Sequence, residues 1–289
     1  MSATTHTPTI PIAEIFGPTL QGEGALAGKP TYFVRVGGCD FSCLWCDSGH
    51  AVLVEEVRGL PRFTQDEIAH KLMDRTLTDP GPLWLTISGG NPGLYDLGHV
   101  VQAWQSLAHE SGWLRRVAVE TQGSRWQPWF AEVDLLTISP KPPSSGMKNA
   151  TLERFMEHVG EAEEYNGSRR AARQWGIALK VVVFDEDDYQ FARALHNEWP
   201  LIPFYLSCGT AMGGLSGSWV PPEPWLPDDD QDQVHRIRDG AWSPVESRIS
   251  LLRRYRWLAE RMMGDEVMAD VAGFPQLHAL TWGIETRGV

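Results

Sequence analysis

Cys39, Cys43 and Cys46 stand in the pattern C-x3-C-x2-C, and one other cysteine, Cys208, occurs in the chain. Thiolates gathered in one short loop are suited to holding a metal ion or an iron–sulfur cluster. Other readings compete. A disulfide would leave one thiol over. A structural zinc site closes on four ligands, and His50 or Cys208 could be the fourth. Three thiols acting only as small buried hydrophobes would cluster this tightly by chance alone. The spacing favours a metal or cluster, with iron–sulfur ahead of zinc. Three thiolates on a four-iron cluster leave one iron open to a small molecule carrying an amine and a carboxylate.

Other polar residues sit where apolar ones are expected. Gln21 and Glu23, two apart in a Gly-rich loop from Leu20 to Lys29, share a face if that loop is extended. Arg35 lies on a strand among apolar neighbours and requires an anion, either a substrate carboxylate or an internal Asp or Glu. Lys180 lies inside the apolar run Ala178 to Phe184, where it snorkels, pairs or points at a site.

Alternating strands and helices position these groups. Thr31 to Val36, rich in aromatic and β-branched types, reads as a strand that Gly37-Gly38 ends. Ile10 to Phe16 reads as an edge strand, and Met1 to Pro8 as a frayed polar end. Phe63 to Met73 reads as a helix opened by a Thr64/Glu67 capping box. Leu83 to Ser88 is a strand running into Gly89-Gly90-Asn91-Pro92, and Leu97 to Ser111 a helix with one apolar face. Two strands, Val117 to Glu120 and Leu135 to Ser139, end in Glu120-Thr121-Gln122-Gly123 and Ser139-Pro140-Lys141-Pro142. Strand C-terminal ends are where such sheets place ligands. Lys148 to Arg173 is charged and partly helical, with Glu161 to Arg173 a solvated insertion. Ala178 to Phe184 is a buried strand, Asp185 to Trp199 a helix, and Pro203 to Ser207 a strand followed by Cys208, an ordinary buried thiol. Leu215 to Gly240 reads as a long loop, a lid or an oligomer arm. Ser243 to Met262 reads as a helix capped by Ser243, Pro244 and Glu246. The order predicts an α/β fold: an open, partial (βα) barrel of about six strands, in a single domain over 1–289. Its core spans about 10–210, with a C-terminal extension over 211–289.

The cysteine spacing, with an aromatic residue (Trp45) just before the last cysteine, resembles the radical S-adenosylmethionine (SAM) superfamily. The flanking text narrows the resemblance. Ile15-Phe16, Gln21-Gly22-Glu23-Gly24, Gly28-Lys29-Pro30, Phe33-Val34-Arg35, Gly38-Cys39 and Trp45-Cys46-Asp47-Ser48 are similar to the start of the 7-carboxy-7-deazaguanine synthase family. Pro275-Gln276-Leu277-His278, Trp282-Gly283 and Arg287-Gly288-Val289 are similar to its end. The resemblance is weak over 147–175 and 215–242. It implies a carbon–nitrogen lyase that converts 6-carboxy-5,6,7,8-tetrahydropterin to 7-carboxy-7-deazaguanine with loss of ammonia, in 7-deazapurine (queuosine-type) biosynthesis. A 5′-deoxyadenosyl radical made from SAM would start the reaction.

The same resemblance implies roles. Cys39, Cys43 and Cys46 hold a [4Fe–4S] cluster. Trp45, Asp47, Ser88, Gly89, Gly90, Asn91, Glu120, Ser139 and Lys141 bind SAM. Gln21, Glu23, Gly24, Arg35 and His278 bind the pterin, and Ser48 binds Mg²⁺ through the hydroxyl that a Thr supplies in the family. The superfamily's usual Gly-Gly-Glu-Pro stands here as Gly89-Gly90-Asn91-Pro92, an amide replacing the carboxylate that receives SAM's amino group. An electron donor such as flavodoxin or ferredoxin and a homodimer are also implied.

Composition narrows the rivals. A chain of 289 residues, 42% apolar, buries one sizeable core or two small ones. A net charge of −12 makes it a poor nonspecific nucleic-acid binder. No apolar run suits a membrane span, the N-terminus lacks a signal-peptide pattern, and clustered thiols point to a reducing cytoplasm. Thirteen Trp residues read chiefly as packing. Two other functions share the cysteine pattern: a radical-SAM activase acting on a partner protein, and a non-enzymatic zinc module.

Overall fold

The computed structural model describes residues 7–78, 84–111, 115–166, 176–210 and 244–283. Its strands are β1 (Ile10–Leu20), β2 (Pro30–Val36), β3 (Arg62–Phe63), β4 (Trp84–Gly89), β5 (Arg116–Thr121), β6 (Leu135–Ile138), β7 (Gly176–Val183), β8 (Phe204–Cys208) and β9 (Ala272–Pro275). Its helices are α1 (Gly49–Val52), α2 (Val54–Gly59), α3 (Gln65–Thr78), α4 (Gly98–Ser111), α5 (Leu152–Asn166), α6 (Glu186–Glu198), α7 (Pro244–Met263) and α8 (Leu277–Trp282).

One sheet contains all nine strands in the order β3-β1-β2-β4-β5-β6-β7-β8-β9. From β2 to β9 every pairing is parallel. β1 pairs antiparallel with β2 and β3. Seven strands therefore form the parallel core, one more than the pattern predicts. The addition is β9: Ala272-Gly273-Phe274-Pro275 has no β-branched run to announce it. β1 outruns its expected end at Phe16. Its register shifts between Phe16 and Thr19, and that irregularity absorbs Pro18, which has no N–H for the ladder.

Period-2 alternation gives the sheet two different faces. Val34, Val36, Leu85, Ile87, Val117, Val119, Leu136, Ile138, Leu179, Val181 and Leu206 point outward into the main core. There they meet Ile68 and Leu72 of α3, Val100 and Trp104 of α4, Phe155 and Val159 of α5, Tyr189 and Leu195 of α6, and Leu251 and Leu258 of α7. The residues between them face inward. Leu26, Ala118, Leu135 and Ala178 make a small apolar plug there, formed where a 3-10 turn (Gly24–Leu26) enters the concave side. Above it the inner face carries Arg35, Ser88, Glu120 and Lys180.

The sheet curls far enough for the β1–β2 loop to span its concave side. The β1–β2 loop reaches Lys180 on β7 through Glu23, and Leu277 after β9 donates its N–H to the Gly22 carbonyl at 3.1 Å. This is the partial-barrel geometry expected.

Local signals account for the helix starts. Thr64 Oγ1 accepts from the Glu67 N–H at 3.2 Å while Glu67 accepts from the Thr64 N–H at 2.8 Å, a complete capping box. Asp185 caps α6 through the Asp188 N–H. Thr64→Ala is expected to lower stability by about 1 kcal/mol, read as a fall in the urea midpoint with unchanged slope. α5 runs on to Asn166, with Ala162 buried, so the stretch expected to be a solvated insertion begins as part of a packed helix. The rest of that stretch, the loop 215–240, the Ser243 cap, the tail Arg287-Gly288-Val289 and most of the frayed N-terminal end lie outside the described residues.

Candidate active site

A cavity of about 680 Å³ opens at the C-terminal ends of the parallel strands and extends down the inner face. Cys39, Cys43 and Cys46 line its rim. Their loop is held by contacts no side chain could share. A Cβ on Gly90 would fall 1.9 Å from the Gly38 carbonyl, so the loops after β2 and β4 pack backbone to backbone. The Gly90 N–H donates to Val36 O at 3.0 Å and the Asn91 N–H to Gly38 O at 2.8 Å. On the other side the Leu44 N–H donates to Ser145 O at 3.0 Å.

Burial pushes the Cys39 thiol up to about 11 and Cys46 up to about 12, and raises Cys43 as well. These thiols become thiolates readily only against added positive charge, which a metal centre provides. Among the described residues, no group of three or more His, Cys, Asp and Glu is gathered closely enough to hold a single ion. Three thiols lining one cavity suit a cluster, whose ligands sit on separate irons. Both possible fourth zinc ligands lie against other groups. His50 pairs with Glu14 at 3.4 Å, and Cys208 is buried in the main core with its thiol 3.7 Å from Leu251 O. Cys208→Ala is therefore expected to leave iron content unchanged; loss of iron in that variant would show that the ligand set is wrong.

Trp45, between two of the cysteines, packs on Phe184 at 5.3 Å, with Lys141 Nζ 5.7 Å from its ring centre. Its indole N–H donates to Ser144 Oγ, which donates to the buried Asp188. Lys141 Nζ donates to Ser139 Oγ at 3.2 Å.

Arg35 resolves toward the internal partner. Its Nε lies 2.9 Å from Glu14 Oε2, and its Nη1 donates to Ser48 Oγ at 3.0 Å. Ser48 in turn donates to Asp47 Oδ1 at 3.0 Å. Burial pushes the Glu14 carboxyl up, but His50 and Arg35 outweigh it and hold it below its ordinary value. Arg35 and Ser48 still line the cavity, beside Asp47.

The base of the cavity is a charge network. Glu23 accepts from Lys180 and from Gln276. Lys180 Nζ also lies 3.8 Å from Glu120 Oε1, which accepts from Gln21 Nε2 at 3.1 Å. Burial opposes the charge on Glu23, yet Lys180, His278 and Gln276 hold it down to about 2. Burial disfavours the Lys180 cation too, and Glu23 and Glu120 more than offset that. A Cβ on Gly22 would fall 2.1 Å from His278 Nδ1, so a glycine is what lets this ring lie against the loop.

Of the residues marked by motif, Gly24 and Asn91 do not line the cavity. Gly24 begins the 3-10 turn of the plug. Asn91 is turned away. Its Oδ1 accepts from Gly93 N–H and Thr121 Oγ1, and its amide donates to Asp40 and Ser124. Its carbonyl oxygen is thus occupied within the protein. Glu14 and Gln276 line the cavity without having been singled out. Glu14 had a signal, a lone acid in an apolar strand; Gln276 had none beyond its motif.

No family model matches the chain. It is 36% identical over 282 residues to the 7-carboxy-7-deazaguanine synthase of Bacillus cereus, covering 97% of this chain and 99% of that one. It is 38% identical over 281 residues to the enzyme of the same name from Bacillus subtilis strain 168, covering 97% and 98%. The chain belongs to the 7-carboxy-7-deazaguanine synthase family. The match to these synthases runs through 147–175 and 215–242, where motif resemblance is weak. A crystal structure of Streptococcus suis SuiB bound to precursor peptide SuiA superposes with a TM-score of 0.50 at 12% identity, over 87% of this chain and 50% of that one. That likeness is one of fold alone.

Proposed function

We propose that this chain is a radical SAM lyase that converts 6-carboxy-5,6,7,8-tetrahydropterin to 7-carboxy-7-deazaguanine and ammonia, for 7-deazapurine biosynthesis of the queuosine type. One observation carries the reading: in a member of this family, three free thiols, the buried Gln21, Glu23 and Lys180, and the half-buried Glu120 beside them open onto the same cavity. The described strands from β1 to β9 share one sheet, which supports a single domain.

Cys39, Cys43 and Cys46 would hold a [4Fe–4S] cluster, and bound with SAM it would supply hydrogen-atom abstraction. Trp45, Asp47, Ser88, Gly89, Gly90, Ser139 and Lys141 surround the space beside the thiols and would bind SAM. Arg35 offers a guanidinium to the substrate carboxylate. Glu23, kept ionised by Lys180, and Gln21 offer acceptors and donors to the pterin's N–H and C=O edge. Glu120, a SAM contact by resemblance, bonds to Gln21 and neighbours Lys180, which supports a second role beside the pterin cradle. His278 would close the cavity from the C-terminal side. The plug and the curled sheet wall the inner end of the cavity and would limit the access of water to a reactive intermediate.

Ser48 Oγ and Asp47 Oδ1 are hard oxygen donors at the cavity wall, the type Mg²⁺ takes alongside waters and substrate oxygens. Ser48→Ala is expected to raise the Mg²⁺ concentration needed for half-maximal turnover; an unchanged titration removes Ser48 from the ion. A flavodoxin- or ferredoxin-type donor and a homodimer complete the reading. No described helix is long and apolar enough to cross a membrane.

The test is ammonia release under anaerobic, reducing conditions from free pterin, SAM and reconstituted protein alone. Release without any protein substrate is expected. SAM cleavage that needs a partner protein would favour the activase instead.

A further inference from the structure

Gln122 follows β5 at the cavity rim and is buried. One N–H of its Nε2 is directed to Asp40 Oδ1 at 2.7 Å, and the other is shared between Cys39 Sγ at 3.6 Å and Ser124 Oγ at 3.2 Å. Among the described residues no other side-chain N–H reaches a thiol of the cysteine loop. Cys39 Sγ also accepts from the Phe41 N–H at 3.4 Å. Asp40 organises the amide: one of its oxygens accepts from both Gln122 and Asn91, and the other lies 3.4 Å from Arg125 Nε. This also gives Asn91 a purpose. A glutamate there could not donate to Asp40 and would face it as a like charge.

We propose that Gln122 is a positioning residue that donates an N–H···S hydrogen bond to the Cys39 ligand and raises the reduction potential of the cluster. Asp40 and Asn91 fix its amide for that task. A donor aimed at a ligand sulfur stabilises the electron-rich reduced state more than the oxidised one. The bond makes accepting the electron that initiates SAM cleavage easier. This rests on reading Cys39 as a cluster ligand.

The experiment compares reconstituted wild type, Gln122→Met, which keeps length and lacks the donor, and Gln122→His, whose ring N–H restores one. Iron and sulfide content, midpoint potential and the electron paramagnetic resonance spectrum of the reduced cluster are read, with SAM cleavage last. The methionine variant is expected to carry wild-type iron, a more negative potential and an altered spectrum, with cleavage slowed about tenfold. The histidine variant is expected to return toward wild type. A methionine variant that loads no iron while the histidine variant loads normally also supports the donor role. Unchanged potential and spectrum in the methionine variant overturn the proposal. So does an equal shift in both variants, or failure of both to load. Absence of iron from the wild type would instead remove the ligand reading beneath it.

Discussion

Replacing any one of Cys39, Cys43 or Cys46 by alanine is expected to abolish SAM cleavage and to cut bound iron sharply. On the proposed reading these three thiols are the ligands supplied; among the described residues Cys208 lies in the main core with its thiol 3.7 Å from Leu251 O, and His50 lies 3.4 Å from Glu14. With two thiolates left, two irons lack protein ligands, and affinity that depends on simultaneous ligation collapses. Structural damage is a weak alternative explanation. Cys39 and Cys46 are only half-buried, and the loop is held largely by backbone bonds through Gly38, Gly90 and Ser145. The variants should therefore unfold near the wild-type apo temperature while failing to load. Retained cleavage in all three would contradict the assignment.

Lys180→Met is expected to have the second large effect, on both stability and turnover. Lys180 and Glu23 are both buried and paired, and Glu120 and Gln276 complete the set. Removing one partner of a buried pair leaves an uncompensated charge, a loss of about 3–5 kcal/mol. The pH dependence carries the signature. Glu23 is depressed from its ordinary 4.5 to about 2, so its stabilising contribution is present above 4.5 and disappears as pH falls through about 2. Lys180 is raised, so its contribution is present below its ordinary 10.5 and is lost only as pH rises through a higher folded value. Both are in force at neutrality. In the variant, Glu23 loses its cation and protonates at higher pH, which relieves the penalty in acid. The gap in melting temperature between wild type and variant should be widest near neutral pH and shrink as pH falls. A gap independent of pH would show that lost packing, not charge, is responsible. Product formation should fall about a hundredfold if Glu23 is the pterin acceptor proposed above, because Lys180 no longer holds it in place.

The sequence discloses the scaffold well because β-branched and aromatic runs mark strands that bury one face under helices. β9 escaped because Ala272, Gly273 and Pro275 carry no such signal, and its place depends on pairing with β8. The cysteine loop, Gln21, Glu23, Arg35 and His278 were legible as motifs. Their partners were not: Arg35 faces Glu14 through strand register, and Glu23 meets Lys180 only because the sheet curls. Lys180 was visible as an anomaly, a cation in an apolar strand, without its partner. Gly24 and Asn91 show the converse. Each sits within a motif whose neighbours line the cavity, yet backbone direction turns one into the plug and the other into a cap for the turn over Pro92–Leu94.

The most direct measurement is mass spectrometry of an anaerobic reaction containing reconstituted protein, reductant, Mg²⁺, SAM and 6-carboxy-5,6,7,8-tetrahydropterin. Formation of 7-carboxy-7-deazaguanine is predicted, and it should vanish in the Cys43→Ala variant. Conversion of SAM to 5′-deoxyadenosine with no deazaguanine, from protein carrying its full iron and sulfide, would contradict the account.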